Sequence, residues 1–235
     1  MGTAVTTLSL ELSRRLADEV SAAATDGEQF TSAQRTAALN AAHKQMVIHV
    51  LSATNKRKSA YTLLGSLTRR EHRSLGPDGF DLSGLSRTVA AGGIINVECL
   101  IGTARVYGVE RGVEDLQYAN NEHFQGNDNR PVYYLQGDEL WIEVNLGSYP
   151  VDAYVHYVEN PKELSLTADD MVHTSTLQTS PTLDEPILQA AVAVAQQLGD
   201  DLDKVQVATQ SALGLIQGVI AHEFGKQNKR NKGEA

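Results

Sequence analysis

The sequence has one cysteine and few aromatic residues. Cys99 is the only cysteine among 235 residues, which excludes an internal disulfide and a cysteine-based zinc site and fits a reducing compartment. Aromatic residues make up 6% of the chain, too few to predict stacking platforms for single-stranded nucleic acid. We therefore expect Trp141 and its neighbouring tyrosines to pack on one face of a sheet.

Long apolar runs are also missing. No stretch approaches the ~20 apolar residues that a membrane span needs. The N-terminal MGTAVTTLSLELSRR lacks the basic-then-apolar order of a secretory signal. We therefore expect no contact with a membrane and synthesis in the cytosol.

Recognisable catalytic motifs are missing as well. The chain contains no G-x-S-x-G, no P-loop, no G-x-G-x-x-G and no cysteine–histidine pair. His43 and His49 lie six residues apart on a predicted helix and so face different sides, and His222 has no second histidine at metal-ligand spacing. We expect surface or boundary histidines, and no catalytic residue, cofactor or metal. The acidic cluster Asp200, Asp201 and Asp203 lies at a predicted helix start. The helix macrodipole favours carboxylates there, so the cluster needs no metal to explain it.

The charge is acidic and unevenly distributed. The net charge is −9, but residues 225–235 contribute +3, so the rest of the chain carries −12. An acidic body argues against wrapping nucleic acid, because phosphate neutralisation by Lys and Arg dominates such binding. The basic tail predicts docking on an acidic partner surface through Lys226, Lys229, Arg230 and Lys232.

Helical periodicity marks both ends of the chain. Apolar residues recur every three or four positions from Val5 to Val20, which predicts a first amphipathic helix. Thr31 and Gln34 have the spacing of a capping box, so a second helix is predicted from Ser32. Near the C-terminus, Asp184 is a candidate cap for a helix ending at Gly199, and a last helix follows from Asp200 or Asp201.

Small residues distinguish two of these helices. They allow a neighbouring backbone to approach closely, so we predict tight packing within the subunit or between subunits. The predicted packing residues are Ala38, Ala41 and Ala42 on the second helix, and Gly214 and Gly218 on the last.

The middle third has strand periodicity. The segment IINVECLI predicts a strand that includes Cys99, VYYLQGDELWIEV predicts a hairpin about Gly137-Asp138, and VDAYVHYV alternates apolar and polar residues. Together they predict a small antiparallel sheet from about residue 94 to 158. Residues 56–93 are interpreted as a connector with a short helix near Leu63–Arg70, and residues 112–130 as a long polar loop. The predicted fold class is therefore α+β.

Three segments, in order, resemble the head-to-tail adaptor proteins of tailed phages. The segment LADEVSAAATDGEQFTSAQRTAALNAAHKQMV is similar to the family's opening helices, PVYYLQGDELWIEV to its hairpin, and VHYVENPKEL followed by LDEPILQAAVAVAQQL to its last strand and return helix. The matching positions of the first segment are Asp26, Gly27, Phe30, Thr31, Leu39, Asn40 and Ala41.

The resemblance implies a structural virion protein without enzymatic activity. It implies a homo-oligomeric ring, a dodecamer in most members, between the capsid portal and a tail or nozzle protein. Genomic DNA would pass through the lumen without sequence-specific binding. Residues 1–55 and 183–225 would form a helical, ring-forming body, residues 94–160 an inserted antiparallel β domain, and the tail 226–235 a portal-docking segment. The expected location is the capsid–tail junction, and the host cytoplasm during assembly.

Three alternatives remain at this point. The chain could be another neck or stopper component of the virion. A cytosolic DNA-binding regulator would need a basic recognition helix, for which residues 55–58 are the only candidate before the tail. A metal-dependent hydrolase would need histidines and carboxylates that converge from separate segments.

Overall fold

The computed structural model of the chain describes residues 3–20, 30–54, 58–76, 78–112, 126–144, 151–165, 173–198 and 202–233. Within these residues it contains five α-helices and two four-stranded sheets, which confirms the predicted mixture of α and β structure. The chain divides into a helical unit, residues 1–67 and 161–235, and a sheet unit, residues 68–160.

The elements are numbered in chain order. The helices are α1 (Val5–Val20), α2 (Ser32–Thr54), α3 (Lys58–Leu64), α4 (Asp184–Leu198) and α5 (Leu202–Gly233). The strands are β1 (Thr68–Leu75), β2 (Phe80–Asp81), β3 (Val89–Ile101), β4 (Ala104–Tyr107), β5 (Val109–Glu110), β6 (Val132–Gln136), β7 (Glu139–Glu143), β8 (Val151–Glu159), β9 (Glu163–Leu164) and β10 (His173–Thr174). Short 3-10 turns lie at Gly65–Leu67, Leu82–Gly84 and Pro181–Leu183.

The N-terminal helices form as their sequences predict. Along α1, Leu8, Leu12 and Leu16 are buried on one face. Helix α2 begins at Ser32, and the Thr31–Gln34 capping box is confirmed in both directions. Gln34 N donates to Thr31 Oγ1 at 3.3 Å, and Thr31 N donates to Gln34 Oε1 at 2.8 Å. Two backbone donors that the helix itself cannot pair are thereby satisfied.

Helix α4 joins the two ends of the chain. It contacts α1, α2 and α5, and Arg15 of α1 donates to both carboxylate oxygens of Glu185 at 2.8 and 2.9 Å. Thr3 donates a hydrogen bond to Asp184. The predicted cap at Asp184 is wrong, because this residue already has helical backbone angles after the turn that starts at Pro181. Proline is favoured at such a start because its φ is preset and it lacks an N–H.

The sheet unit contains two sheets rather than one. The first has the antiparallel order β1-β8-β3-β4, and the second has the order β2-β7-β6-β5 with a parallel β5–β6 pair. The sheets share one hydrophobic core, in which Tyr133 of β6 and Tyr157 of β8 are 2% and 0% exposed. The prediction of a single antiparallel sheet is therefore wrong, because the unit contains two sheets and one parallel strand pair.

The strands with clear alternation are confirmed. The predicted hairpin forms between β6 and β7, with Gly137 at φ 61° in its turn, a backbone angle that glycine adopts without steric cost. Val151, Ala153, Val155 and Tyr157 of β8 all face the core. Cys99 is a buried residue of β3, as predicted.

The connector prediction for residues 56–93 is wrong. This segment forms α3, β1, β2 and the start of β3, and the short helix ends at Leu64 instead of extending to Arg70. Strand β1 reads TRREHRSL and has no apolar alternation, so its sequence alone does not indicate a strand. It forms because all eight of its residues pair with β8, an example of tertiary context overriding local propensity. Most of the predicted loop 112–130 lies outside the described residues.

Gly93 provides a test of the sheet unit. The β3–β8 register shifts between Val89 and Asn96, and a Cβ on Gly93 would lie 2.6 Å from Ala90 O and 2.8 Å from Val158 O. Because both contacts are with backbone, we expect Gly93→Ala to lower the free energy of unfolding by about 2 kcal/mol or more.

Urea unfolding of the whole chain measures this effect. The matched control is Gly76→Ala, because a Cβ at Gly76 meets no atom within 4 Å. The control should leave stability unchanged or raise it slightly, since alanine restricts the unfolded chain. Equal stability of both variants would contradict the observed approach of β3 and β8.

Candidate assembly surface

Helix α5 has one narrow buried face. Ala208, Ala212, Ile216, Ile220 and Glu223 are at most 8% exposed and recur every three or four residues. This face packs mainly on α4. A seam of this spacing holds one side of a helix and leaves most of its circumference open.

The open side of α5 carries no charge along its middle. Residues 205–221 read VQVATQSALGLIQGVIA, which contains no Asp, Glu, Lys or Arg. Val207 is 69% exposed, and Leu213 and Leu215 are 39% and 38% exposed. An exposed helix face is normally polar and charged, so this one has the composition of a surface that becomes covered.

The predicted packing glycines lie on this helix. A Cβ at Gly214 or Gly218 would meet no atom within 4 Å in the described part of the chain. Both residues are exposed. Among the described residues there is thus no close helix crossing at these glycines within the subunit.

The predicted packing alanines of α2 lie nearer the interior. Ala38 and Ala42 are 0% exposed, and Ala41 is half-buried. Helix α2 packs mainly on α4 and makes smaller contacts with α1, α3 and α5. Ala38 and Ala42 therefore serve contacts inside the helical unit.

The predicted basic tail continues a helix. Helix α5 extends to Gly233, so the backbone of the tail is helical to that residue. The segment has no proline, and cations are favoured near a helix C-terminus by the macrodipole. The tail side chains, which are those of Lys226, Lys229, Arg230 and Lys232, lie outside the described part of the structure.

The sheet unit contains an arginine–glutamate network that the sequence patterns did not indicate. Glu98 of β3 is 5% exposed and lies at its centre. Arg70 Nη2 donates to Glu98 Oε2 at 2.9 Å, and its guanidinium carbon lies 3.7 Å from the ring centroid of Tyr154. Arg105 Nη1 and His156 Nε2 lie 3.6 and 3.4 Å from the same carboxylate. Burial opposes ionisation of Glu98, but the hydrogen bonds from Arg70 and His156 outweigh it and lower its pKa.

Two further carboxylates have similar partners. Arg69 donates to Glu159, which is 2% exposed, and Arg87 Nε lies 3.8 Å from the same group. Glu71 pairs with Arg73 and accepts a hydrogen bond from the Tyr157 hydroxyl. Composition is the sequence feature that could have indicated this network, because residues 68–160 contain seven arginines and no lysine. Arginine suits such fixed pairing, since its planar fork matches a carboxylate.

The histidines mostly lie at the surface or boundary, with one exception. His72 and His222 are exposed, His49 and His156 are half-buried, while His123 and the side chain of His173 lie outside the described residues. His43 is 1% exposed, so the surface prediction is wrong for it. Neither of its ring nitrogens has a hydrogen-bond partner among the described residues. Burial lowers the pKa of His43 to about 4.

Two other kinds of site are absent from the described residues. These residues contain no group of three or more His, Cys, Asp or Glu side chains placed to hold a metal ion. None of their helices combines the length and apolar character required to span a bilayer. The predicted carboxylate cluster cannot be placed, because Asp200 and Asp201 and the side chain of Asp203 lie outside this part of the structure.

Comparison with protein-family models and with curated proteins finds no match. No protein-family model matches the chain. No curated protein is significantly similar to it in sequence.

The buried histidine predicts an acid-sensitive fold. Between pH 6.5 and about 4 the unfolded chain binds a proton at His43 that the folded chain does not, so the free energy of unfolding falls as pH is lowered through this window. The shift corresponds to about 3 kcal/mol. Below about pH 4 this residue should cause no further loss.

Chemical unfolding across this pH range measures the effect. His43→Leu should remove this part of the pH dependence, because leucine does not titrate. His222→Gln is the matched control, since His222 is exposed, and it should behave like the wild-type chain. Parallel loss of stability in the wild-type and His43→Leu chains would contradict the assignment to His43.

Proposed function

We propose that this chain is the subunit of a head-to-tail adaptor ring in a tailed virus. The ring would join the capsid portal to the tail or nozzle and extend the channel through which the genome passes. In this proposal the helical unit is a bundle built from both ends of the chain, and the sheet unit is an inserted domain. The protein acts by geometry and ordered docking, without catalysis.

The uncharged open face of α5 carries this proposal. Charged residues make up 21% of the chain, yet none occurs from residue 205 to 221. Exposed aliphatic side chains such as Val207 and Leu215 lie on this stretch. Contacts between subunits remove such side chains from water, and a ring places one contact of this kind on every copy. The resemblance of three ordered segments to adaptor proteins supports the same assembly.

The charge distribution suits a channel for DNA. Outside residues 225–235 the chain carries −12. Like charge would keep a duplex from adhering to the channel wall, and the basic end of α5 would bind an acidic surface of the portal. The tail residues proposed for this docking are Lys226, Lys229, Arg230 and Lys232.

A charge on the open face of α5 should weaken self-association. Val207→Asp places a carboxylate where the ring contact is proposed, and its desolvation should shift the assembly equilibrium toward the monomer by at least tenfold. Val207→Thr is the matched control, because it keeps the branched shape without a charge. Sedimentation velocity over a concentration series measures both variants. Unchanged assembly of Val207→Asp would contradict the proposed contact.

Immunogold electron microscopy of virus particles tests the function itself. Antibody raised against this chain should label the capsid–tail junction and leave the capsid faces and tail tip unlabelled. Pre-immune serum and antibody absorbed with purified chain are the controls. Absence of label from all particles would contradict a structural role in the virion. The alternatives outside the virion would then remain.

A further inference from the structure

An apolar groove lies within the helical unit, between α2, α4 and α5. Its volume is about 320 Å³, and its described lining residues include no Asp, Glu, Lys or Arg. The floor contains Met46, Ala193, Ala212 and Ile216, which are at most 7% exposed. The other lining residues include Gln45, His49, Gln197 and Val205.

The chemistry of the groove selects its occupant. The described lining residues include no Asp, Glu, Lys or Arg to pair with an ionic ligand, and the polar groups Gln45 and Gln197 lie at exposed positions. Such a site takes aliphatic side chains into its floor and leaves uncharged polar groups at its edge. The occupant is therefore an apolar, uncharged surface.

The chain itself presents such a surface on the same helix. Val207 and Leu215 are 69% and 38% exposed and do not line the groove. At 100° per residue, Val207 lies roughly 180° and Leu215 roughly 100° around α5 from Ile216. The Cα atoms of Val207 and Leu215 are separated by about 12 Å along the helix axis. Val205 and Ile216, which both line the groove, are separated by roughly 16 Å along the same axis, so the face is shorter than the groove.

We propose that the groove between α2, α4 and α5 binds the Val207–Leu215 face of α5 from a second copy of this chain. The inference rests on the proposed ring and specifies its contact surface. Val207 and Leu215 lie on a side of α5 that turns away from the chain's own groove, so each copy contributes the two surfaces to two different neighbours. Contacts between unlike surfaces run head to tail and form a ring where the rotation between copies closes, whereas pairing of two α5 faces would give a two-fold dimer.

Cysteine cross-linking distinguishes these arrangements. Cys99 is buried and burial raises its pKa to about 12, so the wild-type chain should not react with a short bismaleimide. The test variant is Val207→Cys/Gln197→Cys, with one cysteine on each proposed surface and both positions exposed. The single variants Val207→Cys and Gln197→Cys are the matched controls.

The double variant should give a ladder of covalent multimers that ends at the ring size, and each single variant should give at least tenfold less cross-linked product. Efficient dimers from Val207→Cys alone would overturn the groove contact in favour of paired α5 faces. Rings without cross-links in the double variant would also overturn it, while leaving the proposed function intact. A chain that stays monomeric and uncross-linked at its highest soluble concentration would overturn the contact, and particle labelling would then decide the function separately.

Discussion

Burial along α4 is the interaction on which the helical unit depends. This helix lies between the N-terminal pair α1–α2 and the C-terminal helix α5, and it contacts all three. Its buried side chains include Ile187, Ala191 and Val192, which are at most 1% exposed. An ion pair between Arg15 and Glu185 also links α4 to α1. Because burying a large aliphatic side chain contributes about 1.5–3 kcal/mol, α4 holds together segments that are distant in sequence.

The same arrangement determines what α5 can do. Helix α5 packs on the unit only through its seam from Ala208 to Glu223, so the uncharged open face within residues 205–221 and the groove beside it stay exposed. In a monomer these surfaces would expose aliphatic side chains to water with no compensating charge. The proposed ring, in which each α5 contacts the next copy, would cover both surfaces at once.

Local sequence signals predicted the elements that depend on local physics. The Thr31–Gln34 capping box and the Gly137 turn were recognisable because their hydrogen bonds and backbone angles involve near neighbours. Strand β1 was not recognisable, because its charged side chains are satisfied by Glu98 and Glu159 from other strands. His43 was missed for a related reason: its burial depends on helices that the sequence does not place around it. The sequence located the small residues on the helices. Only the fold showed that Ala38 is buried inside the helical unit and that Gly214 is exposed.

A cryo-electron microscopy map of the assembled particle would show whether this chain forms the proposed ring. Fitting the helical unit and the sheet unit into the capsid–tail junction would show which surfaces touch between copies. The account predicts a closed ring in which residues 205–221 of every copy are buried against its neighbour. A junction that lacks this fold, or a ring in which Val207 and Leu215 face solvent, would contradict it.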